Sequence, residues 1–311
     1  MSALIKAAND YLSLRRRLGY KLEDPGRWLK DFVSFLEEEG AAHITTELAV
    51  RWAMQPANAQ PAHWAARLRA VRLFAEYHKG FDVLTEIPPQ GLLPHRPRRR
   101  QPYIYKDSEI RSLIEEAEKL PSRRGLRPCT YSTVLGLLSV TGIRIGEALA
   151  LDKDDVDLAQ GVLTIRQAKF SKTRLIPIHP TTREALRAYV SLRDIVFPKP
   201  KTLGFFLSEA GTRLEISSAY RTFVELSRLI GLRRPSDPHG PRIHDLRHSF
   251  AVRTVMEWYR MGLDVDSQMP KLSTYLGHTH VSDTYWYLSA VPELLCLAAA
   301  RLERTQGGTR S

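Results

Sequence analysis

The stretch "PPQGLLPHRPRRRQP", residues 88–102, does most to limit how this chain folds. Proline removes amide donors and fixes φ, so neither a helix nor a central strand runs through such a segment. Its four arginines come without one acid, which keeps the stretch extended. The chain therefore reads as two folded parts, residues 1–90 and 106–311, with a basic Pro/Arg-rich linker at 91–105. A length of 311 residues also favours two domains over one.

The first part shows helices and no convincing strand. Leu4, Ala8, Tyr11, Leu12 and Leu18 recur at roughly helical spacing. Asp24-Pro25 reads as a cap with proline at the first helical position, and Gly40 closes that helix. Thr45 or Thr46 caps a third helix, and Pro61 opens a fourth. Arg51, Arg67, Arg69 and Arg72 are interleaved there with Trp52, Trp64 and Phe74. Such arginines either track a phosphate backbone or form a solvated face over an ordinary core.

Beyond the linker, Ser108 can cap a helix from about Glu109 to Lys119, and a longer apolar helix covers "YSTVLGLLSV". The alternation in "GVLTIRQAKFSKTRLIPI" predicts two strands around a Lys169–Lys172 turn. Helices are expected over "TTREALRAYVSLRDIV", "SSAYRTFVELSRLIGL", "IHDLRHSFAVRTVMEWYRMG" and "VPELLCLAAARLER". The expected fold class is mainly α with a small antiparallel β-sheet, in two domains.

Charge narrows the partners. The 46 Lys and Arg against 34 Asp and Glu leave +12, which points to nucleic acid or an anionic surface. Two cysteines, Cys129 and Cys296, make neither a disulfide framework nor a cysteine zinc cluster. Residues 1–18 lack a signal-peptide core, and no run reaches the about 18 apolar residues of a membrane span. A soluble, cytoplasmic protein with no membrane partner is expected.

Three clusters could carry chemistry. In "SVTGIRIGEALAL", Arg144 stands in apolar company and needs a partner: a salt bridge to Glu147, or an anion toward which Glu147 orients it. In "RIHDLRHSF", His244, Arg247 and His248 share one helix face. A histidine pair at i, i+4 is also zinc spacing, but a guanidinium on the same face repels a cation. Lys169, at a β-turn, is a solvated charge or a general acid. The third cluster is "STYLGHTHVSDTYWYLSAV", with Tyr275, Tyr285 and Tyr287 around His278 and His280. A free phenol is ionised to about one part in a thousand at pH 7. Two arginines, a lysine and imidazoles around one phosphate would lower the barrier to its attack. The reaction implied is phosphodiester transesterification through a covalent phosphotyrosine.

The order Arg144, Lys169, His244-x-x-Arg247, His278 and Tyr287 resembles that of the tyrosine recombinases, the phage integrase family. "TGIRIGEAL", "HDLRHSF" and "LGHTHVSDTYWY" are similar to its three signature blocks, over roughly residues 107–300. The resemblance implies that Arg144 and Arg247 clamp the scissile phosphate and that Lys169, or Lys172 in its place, protonates the leaving 5′ oxygen. It implies that His244 and His278 assist with protons, that Tyr287 is the nucleophile rather than Tyr285, and that Glu147 is the acid orienting the site. No metal, ATP or other cofactor is implied. His248 is expected to support packing, His280 to lie at the surface, and Tyr275 in the core. An extra loop is expected within "EWYRMGLDVDSQMPK".

The helical first part resembles the family's core-binding domain, with Arg67, Arg69, Arg72 and the linker's Arg96, Arg98, Arg99 and Arg100 as DNA contacts alongside Lys172. The expected partners are duplex DNA with a specific recombination site, a homo-tetramer on two such sites, and sister recombinases or accessory proteins. The C-terminal "PELLCLAAARL" packs on its own domain or docks in a neighbouring protomer. The competing functions are a type IB topoisomerase, a DNA-binding protein without catalysis, and a zinc hydrolase using His244 and His248.

Overall fold

The computed structural model describes residues 3–94, 101–166, 173–237, 239–278, 280, 282 and 284–285. The chain divides into two compact units, Met1–Arg100 and Gln101–Ser311.

Among the described residues the first unit holds four helices, α1 (Ala3–Arg17), α2 (Glu23–Glu38), α3 (Thr46–Met54) and α4 (Pro61–His78). Thr45 caps α3, its hydroxyl accepting the Leu48 amide, and Pro61 occupies the first position of α4. The start of α2 lies at Glu23, ahead of the expected Asp24-Pro25 boundary. Amides of a first turn have no intrahelical acceptor, so a proline there removes nothing. Leu29, Phe32, Leu36, Trp52, Val71 and Phe74 form the core, with the Phe32 and Trp52 rings 5.1 Å apart. Burying each such side chain stabilises the unit by roughly 1.5–3 kcal/mol.

The second unit carries α5 (Asp107–Glu118), α6 (Leu126–Thr141), α7 (Ile145–Ala150), β1 (Val156–Asp157), β2 (Val162–Arg166), β3 (Thr173–Pro177), α8 (Pro180–Val196), α9 (Ile216–Leu229), α10 (Asp245–Arg260) and α11 (Val265–Leu276). The three strands form one antiparallel sheet in the order β1-β2-β3, with Val162 opposite Pro177 and Arg166 opposite Thr173. This is the expected class, mainly helical with a small antiparallel sheet. Apolar α6 packs against α5, α8 and α10, with Val134, Leu135, Leu137 and Leu138 buried.

Three expectations change in detail. Helix α5 starts at Asp107, where the Glu109 carboxylate accepts the Lys106 amide, so Ser108 is not its cap. Tyr105 is buried, donates its amide to Ser249 and its hydroxyl to the Arg242 carbonyl, and belongs to the second unit's core rather than to a linker. No extra loop separates Arg247 from His278: "EWYR" completes α10 and "VDSQMPK" opens α11. Val255 and Val265 are buried in one apolar cluster with Met269 and Leu272, which is why that segment folds as two packed helices. The helix expected over "VPELLCLAAARLER" lies outside the described residues. Among the described residues no helix is long and apolar enough to cross a membrane.

Candidate active site

The site is built on the C-terminal end of α11. Gly277 ends that helix in the left-handed region at φ 69°, a conformation that glycine adopts without a Cβ penalty. Its amide donates to the Thr274 carbonyl and that of His278 to the Ser273 carbonyl, both at 3.0 Å. The next three carbonyls have no further helical turn to bond. Each accepts a different arginine: Arg174 Nε on Tyr275 at 3.0 Å, Arg247 Nη2 on Leu276 at 2.6 Å, and Arg144 Nη2 on Gly277 at 3.2 Å. A helix C-terminus carries partial negative charge, so it holds cations well.

The arginines arrive from three elements. Arg144 precedes the first residue of α7, Arg174 sits on β3, and Arg247 lies in the first turn of α10. Arg247 is only 2% exposed, and its Nη1 donates to the Gly142 carbonyl at 2.8 Å. Gly142 itself must be glycine: its φ is 62°, and a Cβ there would stand 2.4 Å from the Phe250 ring. The Arg144 side chain remains 38% exposed.

Glu147 joins two of these cations. Its Oε1 accepts Arg144 Nη1 at 2.8 Å, and its Oε2 accepts Arg174 Nη2 at 2.6 Å and the Arg144 amide at 2.9 Å. Burial alone would raise this carboxyl. Hydrogen bonds from Arg174 and from the Arg144 backbone outweigh it and hold the pKa below the ordinary carboxylate value. The salt bridge read from the sequence is therefore present, and it leaves Arg144 reachable from solvent.

The histidines complete the cluster. Burial, reinforced by Arg247, lowers the pKa of His244; Arg144 adds to the same effect, so the two side chains share one electrostatic neighbourhood. His248 is pushed down to about 3, by burial first and then by His244 and the nearby arginines. Its ring meets His244 edge-on, 4.9 Å between centroids. Both imidazoles are neutral near pH 7. Among the described residues no three His, Cys, Asp or Glu side chains gather as a metal site. His278 Nδ1 lies 2.7 Å from the Thr284 hydroxyl, and Thr284 is buried. His280 is exposed.

The tyrosines separate by environment. Tyr275 is stacked on Phe250 in the core, and burial raises its hydroxyl to about 12. Tyr285 is 41% exposed and donates its hydroxyl to Asp266 at 3.2 Å. Its pKa is raised, by burial and by Asp266, the opposite of what a nucleophile needs. Tyr287, Lys169 and Lys172 lie outside the described residues, as do Arg96, Arg98, Arg99 and Arg100.

Sequence reasoning missed Arg174 and Thr284. Arg174 had a signal, since it falls on the same face of β3 as buried Ile176. It also placed Arg67 wrongly. Arg67 is buried, stacked 3.8 Å over the Trp52 ring, and bonded to the Trp52 carbonyl and Asp31, so it cannot lie along a DNA backbone. Arg69 is exposed, and Arg72, paired with Glu76, lines the same surface groove.

Comparison with known proteins identifies the family. Residues 104–293 match the model of the phage integrase family. The chain belongs to that family. It is 48% identical over 308 residues, 98% of each chain, to the Sinorhizobium fredii protein described as "Putative integrase/recombinase y4rB". The tyrosine recombinase XerC of Serratia marcescens is 27% identical, over 89% of this chain and 86% of its own. Among solved structures, the Tn1549 transposon integrase in complex with transposon right end DNA superposes with a TM-score of 0.67. That match covers 96% of this integrase-family chain and 98% of the other at 15% identity, a likeness of fold.

Proposed function

We propose that this phage-integrase-family chain is a site-specific DNA recombinase that cuts and rejoins duplexes through a covalent 3′-phosphotyrosine at Tyr287. The observation that carries the reading is the arginine cluster on the end of α11, with His244 and His278 beside it. A phosphodiester under attack gathers negative charge on its non-bridging oxygens. Guanidiniums already fixed in place answer that charge without reorganising.

In the proposed step the Tyr287 oxygen bonds to phosphorus as the bond from phosphorus to the 5′ oxygen breaks. The phenol proton passes to His244 or His278, while Lys169, or Lys172 in its place, protonates the leaving 5′ oxygen. Arg144 and Arg247 hold the non-bridging oxygens. The phosphotyrosine keeps the energy of the phosphodiester, so a 5′ hydroxyl from the second duplex reverses the step and reseals the strand without ATP. A His244 held neutral by burial is suited to accept a proton. The Asp266 bond on Tyr285 supports Tyr287 over its neighbour.

The first unit grips DNA through exposed Arg69 and the half-buried Arg72 in the same groove, and the arginines at 96 and 98–100 follow the backbone. Four copies act on two sites, as a DNA-associated protein of the cytoplasm. That the Tn1549 integrase is held on transposon-end DNA supports DNA as the substrate.

The test is covalent trapping on a nicked duplex carrying the recombination site, resolved on a denaturing gel with EDTA present. Wild type and Tyr285→Phe are expected to form the adduct and Tyr287→Phe to lose it. An adduct that survives Tyr287→Phe overturns the assignment.

A further inference from the structure

Arg174 lies outside the set of residues to which the reaction above gives a role, yet it is bonded both to Glu147 and to the end of α11. Its three guanidinium nitrogens are all engaged: Nε on the Tyr275 carbonyl, and Nη1 and Nη2 on the two oxygens of Glu147 at 3.2 and 2.6 Å. Its side chain is 11% exposed. Those bonds commit it to its acceptors, and each acceptor leads to a group with a proposed role at the phosphate. Glu147 holds Arg144 by the side chain and by the amide. The Tyr275 carbonyl belongs to the helix end whose Gly277 carbonyl holds the other arm of Arg144 and whose next residue is His278.

Without Arg174, the Glu147 carboxylate would keep, among the described residues, only Arg144 as an ionic partner and could rotate toward it or turn to solvent. The fork of a guanidinium fits this task, because it bonds a carboxylate through two nitrogens and still has Nε for a carbonyl at an angle. A lysine ammonium is one point of charge and cannot hold both acceptors in that geometry.

We infer that Arg174 is a positioning residue: through Glu147 and the end of α11 it fixes the direction in which Arg144 presents its guanidinium to the scissile phosphate. The inference rests on the reading of Arg144 as a phosphate clamp, and the experiment separates the two. Single-turnover adduct formation is measured for wild type, Arg174→Gln, Arg174→Lys, Glu147→Gln and the Arg174→Gln/Glu147→Gln double variant, with Arg144→Ala as control. Each is assayed on a phosphodiester and on a methylphosphonate at the scissile position, where a methyl group replaces one charged oxygen.

Arg174→Gln is expected to slow cleavage of the phosphodiester about 10- to 100-fold with DNA affinity within twofold of wild type. On the methylphosphonate, which asks less of the clamp, the deficit should shrink at least fivefold. The double variant should be no more than twofold slower than Glu147→Gln alone, because one path is being cut twice. Arg174→Lys, the safer variant for folding, should fall between wild type and Arg174→Gln. Equal deficits on both substrates, or multiplying effects in the double variant, overturn the inference.

Should wild type give no adduct at all, the reading of the reaction falls, and the placement of Arg144 is read directly by NMR. Its Nε–H signal, assigned by its absence from Arg144→Ala, should report a slowly rotating guanidinium in wild type and a fast one in Arg174→Gln. No difference between the two overturns the inference on that ground as well.

Discussion

His278 Nδ1 and the Thr284 hydroxyl lie 2.7 Å apart, a bond between the residue after the α11 cap and a buried side chain three positions before Tyr287. A histidine whose Nδ1 is held by a neighbour has its tautomer and ring direction set by that neighbour. Thr284→Val keeps the shape and removes the bond. Cleavage should fall about tenfold, the equivalent of about 1.4 kcal/mol. Thr284→Ser should stay near wild type; single-turnover trapping checks both.

Arg144 and Arg247 should fail differently. Arg144→Ala and Arg247→Ala are both expected to abolish cleavage while DNA binding remains measurable. Only Arg247→Ala leaves two buried carbonyls, Gly142 and Leu276, without the donor each has in the native protein. An unsatisfied buried group costs about 1–3 kcal/mol. Thermal unfolding should therefore show a drop of several degrees for Arg247→Ala and a much smaller one for Arg144→Ala, whose side chain is partly solvated.

In the first unit, stability and DNA contact should separate onto neighbouring arginines. Arg67→Ala removes the guanidinium stacked on Trp52 and should destabilise by about 2 kcal/mol or more, seen as a lower denaturation midpoint. Arg69→Ala should leave stability alone, weaken DNA binding across sequences, and flatten the plot of log affinity against log salt by about one unit.

His248 predicts a pH signature. Its folded pKa of about 3 lies below the ordinary value near 6.5, so between those limits the unfolded chain binds a proton that the folded chain refuses. Stability from this residue is full above pH 6.5 and declines as pH falls toward 3, by about 1.4 kcal/mol per pH unit. His248→Phe should remove that slope. Urea midpoints of the two proteins, compared from pH 7 to 4, should converge as pH drops.

Much of this was legible because the signals were local. Arg144 followed by Glu147, and His244 followed by Arg247, announce themselves by helical spacing alone. The strands of the hairpin followed from alternation, while the Lys169–Lys172 turn expected between them lies outside the described residues. What sequence reading missed were contacts between distant segments. Arg174 meets Glu147 across 27 positions and Tyr275 across 101, and a lone charge in a strand reads as solvated until its partners are known. Arg67 was misread although it stands four residues before Val71 and seven before Phe74, the spacing of an inward face. The extra loop expected before His278 dissolved because Val255 and Val265 both carry apolar surface that only two packed helices could bury.

The pairing of β2 with β3 has a consequence for how this family member can vary. Side chains alternate along a strand, so a slip of one residue would carry Arg174 to the outer face and bring Thr173 or Leu175 in against Glu147. Residues inserted into the turn itself cause no such exchange, provided Arg166 still stands opposite Thr173. The hairpin is thus a socket whose tip can vary so long as the proposed general acid, Lys169 or Lys172, is kept. Whatever the turn touches can be retuned by swapping its sequence and length, while the strands beneath keep the charge arrangement of the site in register.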